Sequence, residues 1–97
     1  MKASKFTASM TALKEDLSQG QTYLFKFNET TIGKGSFILD SGTVIKIGAT
    51  AKGTVTLTES IDISEGQKFE MGTPDGGGNW SGGRVDGEGL LIDIIAE

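Results

Sequence analysis

The chain has no cysteine and no histidine, and its 97 residues include a single proline, a single tryptophan and a single tyrosine. Without cysteine there are no disulfides and no thiolate chemistry. Without histidine there is no Ser-His-Asp triad and no general base of the usual kind near neutral pH. The two absences together exclude Cys/His zinc sites. The lack of cysteine leaves the redox compartment open. No apolar run reaches the length needed to span a bilayer, and the segment Met1-Lys2-Ala3-Ser4-Lys5-Phe6 has no apolar stretch of a secretory signal. These absences predict a non-enzymatic, cytoplasmic protein with no cofactor and no membrane contact.

Apolar residues are scarce, at 36%, while glycine is abundant, with 15 positions. Glycine thus reaches more than twice its usual share of about 7%. Such a chain suits a thin sheet with tight turns, or a subunit that completes its core by association. The length predicts a single domain over residues 1–97.

Charge is unevenly placed. Residues 1–58 hold seven lysines against Glu15, Asp16, Glu29 and Asp40, a net of +3. Residues 59–97 hold nine acids against Lys68 and Arg84, a net of −7, and the two halves add to the formal −4. The acidic half argues against a nucleic-acid site there, because such affinity is dominated by cationic contacts. Opposite charges on the two halves favour head-to-tail contacts between copies, although charge of this kind is ordinarily a solvated face.

Periodicity predicts a mainly β, α+β architecture. Phe6, Met10, Leu13 and Leu17 are spaced four, three and four apart, which reads as one stripe of an amphipathic helix over residues 4–18, with Ser4 as cap and Gly20 as stop. After Gly20 the period changes to two. About seven short antiparallel strands follow over residues 21–97, the pattern of a small barrel or sandwich. The aromatic face Tyr23, Phe25, Phe27 marks the first. Residues 31–39, 43–49 and 54–58 follow, with a turn at Ala51-Lys52-Gly53. Ile61 and Ile63 form a short strand, Phe69 and Met71 point inward from the next, and residues 90–95 are apolar on both faces apart from Asp93. Such a last strand is either central and covered twice or lies at a subunit contact.

The richest feature is the loop over residues 72–89, which reads Gly-Thr-Pro-Asp-Gly-Gly-Gly-Asn-Trp-Ser-Gly-Gly-Arg-Val-Asp-Gly-Glu-Gly. It carries eight of the 15 glycines and the chain's only proline, tryptophan and arginine. Loops of this length between strands are commonly functional or disordered. Trp80 offers a flat face, Arg84 a planar fork for carboxylate or phosphate, and Asn79, Ser81 and Asp86 further polar groups. These five are the candidate binding residues; the alternative is a connection whose tryptophan tucks back onto the sheet.

Other motifs fall short. Gly33-Lys34-Gly35-Ser36 lacks both the preceding glycine and the ending of a phosphate loop. Asp75, Asp86 and Glu88, with Asn79, are oxygen donors suited to calcium, but Asp75–Asn79 lacks the donor spacing of an EF-hand. Asp86 and Glu88 stand two apart, yet their glycine neighbours predict a solvated loop rather than an acid–base pair. Thr54, Thr56 and Thr58 read as the wet face of one strand.

The function expected from this inventory is a non-enzymatic binding or assembly protein, a self-associating β domain with the glycine loop as contact surface, such as a virion component. Its partners are further copies, another protein or a small anionic ligand. One alternative is a nucleotide-sequestering protein of the kind a phage uses against host defence, with Trp80 on the base and Arg84 on phosphate. A calcium-dependent binding module is the third.

Overall fold

The computed structural model describes residues 1–82 and 84–95; Gly83 of the glycine loop and positions 96 and 97 lie outside them. Eight strands follow one another: β1 (Lys2–Ala12), β2 (Leu17–Ser18), β3 (Tyr23–Lys26), β4 (Ile32–Leu39), β5 (Val44–Ile45), β6 (Thr50–Asp62), β7 (Lys68–Gly72) and β8 (Gly87–Ile94). Six of them close into an antiparallel barrel in the order β1-β6-β4-β3-β7-β8, and β2 pairs with β5 in a separate two-stranded ribbon.

The expected N-terminal helix over residues 4–18 is absent. Lys2–Ala12 is a strand that pairs with β6 on one side and β8 on the other. Phe6, Ala8, Met10 and Ala12 all face inward and are fully buried. Residues four apart share a face in a strand as they do in a helix, so Phe6 and Met10 fit both periods. The deciding members are Ala8 and Ala12. Alanine has high helix propensity, but the interior of a small barrel also needs small inward side chains between large ones. Of the supposed stripe only Leu13 is exposed, because Leu17 belongs to the ribbon and is buried. The domain is therefore all-β among the described residues, without the α component.

Two further boundaries differ. Ala51-Lys52-Gly53 continues β6, and Ile61 extends the same strand, so one 13-residue strand replaces two short ones and a turn. Residues 43–49 supply only the two-residue β5 and a bridge from Ile47 to Ala12. The aromatic strand, the strand over 31–39 and the inward placement of Phe69 and Met71 match the expectation.

Closure gives the barrel a core of its own despite the low apolar content. Phe6 packs edge-on to Phe27 and Phe69, each at 5.8 Å between ring centroids, and Tyr23 stacks on Phe37 at 5.7 Å. The ribbon covers one end, where Leu17 and Ile45 are buried opposite each other. Burial pushes the Tyr23 phenol up. Its hydroxyl accepts a bond from the Ser18 amide at 2.8 Å, which fixes the ribbon to that end.

One close approach depends on the absence of a side chain. A Cβ on Gly89 would stand 2.5 Å from the Phe69 ring and 2.7 Å from the Ser9 carbonyl oxygen. Gly89→Ala is expected to destabilise the fold by about 1–3 kcal/mol, the usual cost of overpacking. The check is a drop in the denaturant midpoint with an unchanged m-value; a midpoint equal to that of the parent would contradict this packing.

Candidate functional site

The glycine loop leaves the barrel at Gly72, the last residue of β7, and rejoins it at Gly87, the first of β8. Its anchor is Asp86, the one buried charged side chain among the described residues, at 0% exposure. The Thr73 amide and hydroxyl donate to its Oδ2 at 2.9 and 3.1 Å, and Arg84 Nε donates to its Oδ1 at 2.8 Å. Its backbone is engaged as well. The Asp86 amide donates to the Met71 carbonyl at 2.8 Å, and the Asp86 carbonyl accepts from the amides of Leu13 and Lys14 at 2.9 and 3.2 Å. Arg84 reaches on through Nη2 to Glu15 Oε1 at 3.1 Å. The loop is thus pinned to β7, to the end of β1 and to the segment that leads into the ribbon.

The tip is ordered by a second acid. Asp75 Oδ1 accepts from the amides of Gly77 and Asn79, each at 2.9 Å, and its own backbone exchanges bonds with Gly78 and Asn79. Side-chain oxygens of this kind commonly hold turns. The Ser81 carbonyl accepts from the Arg84 amide at 3.1 Å.

Trp80 is half-buried and lies back against the outside of the barrel. A Cβ on Gly72 would come within 2.9 Å of its ring, so glycine there is what lets the indole settle on β7. Lys26 Nζ stands over the ring at 5.4 Å from the centroid, a cation–π arrangement. Lys26 points to Trp80 although Glu70 is its cross-strand neighbour.

Two surface pockets flank this pair. The larger, about 520 Å³, has Phe27, Phe69 and Leu90 among its apolar lining, with Lys26, Lys68, Glu29, Glu70 and Glu88 around them. The smaller, about 380 Å³, has Trp80 and Asn79 on the loop side and Leu24, Ile32, Lys34, Glu59 and Ile61 on the barrel side. Lys26 lines the first and Trp80 the second, so the cation–π pair separates them.

The five candidate residues therefore divide. Asn79 and Trp80 line a pocket. Arg84 and Asp86 form the clamp, and Ser81 joins the two parts through its carbonyl. Both Arg84 contacts are with carboxylates, so its charge is already met inside the protein. The calcium candidates are spread out: Asp75 serves its turn, Asp86 is buried against Arg84, and Glu88 lies on the outward side of β8. Among the described residues no group of three or more His, Cys, Asp or Glu is placed to hold a metal ion. Lys26, Lys34, Glu15 and Thr73 were not legible as site residues. The pairing of β3 with β7 brings Lys26 to the loop, and no spacing in the sequence signals it.

No protein-family model matches the chain, and no curated protein is significantly similar to it. Geometry alone carries the functional assignment.

Burial pushes the Asp86 carboxyl up, but the Arg84 guanidinium and the two Thr73 bonds outweigh it and hold the group below its ordinary value of 3.8. The folded value lies below the unfolded one. The stability this group contributes is therefore complete above a pH of about 3.8 and is lost as pH falls through the depressed value. Asp86→Asn keeps the shape and removes the charge. It is expected to cost about 1.5–3 kcal/mol at neutral pH, the range for bonds to a charged group. In denaturant melts at successively lower pH the gap to the parent should close. A gap of the same size at neutral and strongly acid pH would contradict this origin.

Proposed function

We propose that the protein is a non-enzymatic binding domain that associates through its clamped loop and the neighbouring outward face of β8, with further copies of the chain as the partner. The observation that carries this reading is the Asp86 clamp. A fully buried carboxylate with three side-chain bonds is invested in fixing an exposed loop, and that loop holds the only tryptophan of the chain. Rigid presentation lowers the ordering cost of association, and tryptophan is a preferred residue at contact centres.

The outward face of β8 adds apolar surface. Leu91 fills the core from the inner face, while Leu90 and Ile92 are each 42% exposed. Leu90 shares the larger pocket with Lys26, which reaches Trp80. Loop and strand thus make one continuous face. The inventory supports a binding role over a catalytic one: histidine and cysteine are missing, and the buried acid is fully engaged by its clamp.

Sedimentation over rising concentration tests this directly. The parent is expected to move above the monomer mass by high micromolar concentration. Leu90→Asp is expected to keep it monomeric without changing the melt. Trp80→Ala should also weaken association and cost about 2 kcal/mol of stability, between the ~0.5 kcal/mol of a solvated side chain and the ~3–5 kcal/mol of a core tryptophan. A parent that stays monomeric throughout would overturn the proposal.

A further inference from the structure

The smaller pocket has a chemistry of its own, and it differs from what the loop sequence suggests. If a planar anion were held here, the sequence would assign its charge to Arg84. The structure removes Arg84 from that role, because its Nε and Nη2 face Asp86 and Glu15 at 2.8 and 3.1 Å. The cation beside the tryptophan pocket is Lys34. It is exposed on the outward side of β4 and has no ion pair among the described residues. Its Nζ stands beside Gly78 of the loop, 4.0 Å from where a Cβ would be.

We propose that the pocket between Trp80 and Lys34 binds an aromatic anion: a flat ring with N–H groups on its edge and a phosphate or carboxylate attached. Trp80, Leu24, Ile32 and Ile61 supply the apolar walls. A volume of about 380 Å³ lies within the range that holds small organic ligands. Lys34 meets the anion, and Asn79 lines the loop side of the same pocket. Glu59 lines the same pocket as an acceptor. It disfavours an anion near itself and favours ring N–H donors, so the two charges give the ligand a direction. A ring without an anion forgoes Lys34, and an anion without a ring forgoes the apolar walls.

The backbone is prepared for such a ligand. Asp75 fixes Gly77, Gly78 and Asn79 through bonds of 2.9 Å, so the loop side of the pocket is held before anything binds. Preformed sites of this kind avoid the ordering cost of a flexible loop. The proposal rests on the reading of the loop as a recognition surface, but it names a small ligand where that reading names a second copy.

The test is an NMR titration of the full chain. The single indole N–H of Trp80 and the amides of Lys34, Gly78 and Asn79 report on the pocket directly. The probes are guanosine monophosphate and adenosine monophosphate as nucleotides, indole-3-acetate as an aromatic carboxylate, neutral guanosine, and inorganic phosphate. Saturating shifts of these signals with at least one aromatic anion, and much weaker ones with guanosine or phosphate, are expected. Saturation by nucleotides alone assigns the anion to phosphate, and saturation by indole-3-acetate alone assigns it to carboxylate. Lys34→Ala should weaken binding about tenfold, the effect of losing one charged contact. Lys68→Ala, in the other pocket, should leave binding unchanged. Absence of saturable shifts with every aromatic anion overturns the proposal, as does binding indifferent to Lys34→Ala or equal saturation by phosphate alone. Sedimentation of the same samples separates the two readings. A monomer that binds the ring keeps this site and loses the assembly role, and an oligomer that binds none of the probes does the reverse.

Discussion

A carboxylate without water must find its hydrogen bonds inside the protein, and Asp86 imposes that requirement on everything around it. At 0% exposure it draws on Thr73 from one end of the glycine loop and Arg84 from within it, while its backbone engages Met71, Leu13 and Lys14. Removing its charge takes away the acceptor that three donors share, two of them from Thr73 and one from Arg84. The loop, the end of β1 and the approach to the ribbon are thereby coupled through one side chain. The position of Trp80 follows from this, because the indole can rest on Gly72 only if the chain between Thr73 and Arg84 returns close to β7.

Closure of the barrel is the second constraint. Each of the six strands has two neighbours, so the barrel offers no free edge for strand addition. What the barrel presents to solvent is therefore side chains on its outer face and the loops. Glycine sets close approaches on both sides of the barrel wall, since Gly89 leaves room for the inward Phe69 ring and Gly72 lets Trp80 settle on the outer face. The two pockets lie on either side of the Lys26–Trp80 pair.

The sequence revealed the strands with strict alternation and hid those whose pattern is ambiguous. Tyr23, Phe25 and Phe27 declared one face because no helical period fits three aromatics two apart. Phe6 and Met10 did not, since a spacing of four satisfies helix and strand alike, and Ala8 and Ala12 favoured the wrong choice. Gly53 read as a turn because glycine usually breaks a strand; in β6 it instead permits close packing against β4. Within the loop, residue types offered Asn79, Trp80 and Arg84 as binding candidates and left open whether the indole turns back onto the sheet. They could not reveal that Asp86 would take up the Arg84 charge. The pairing of distant segments decides it: Glu15 lies 69 positions from Arg84, and no local pattern encodes the contact.

The central claim is that Asp86 holds the loop, and amide hydrogen exchange on the parent and Asp86→Asn tests it most directly. The asparagine fills the same space and withdraws the charge that Arg84 and Thr73 engage. The amides of Thr73 and Arg84 should lose protection in the variant, with those of Leu13 and Lys14 following. Amides in the β1–β6 ladder should keep theirs, because the barrel core does not depend on the charge. Unchanged protection at Thr73 and Arg84 would contradict the account, and so would a uniform loss across the barrel.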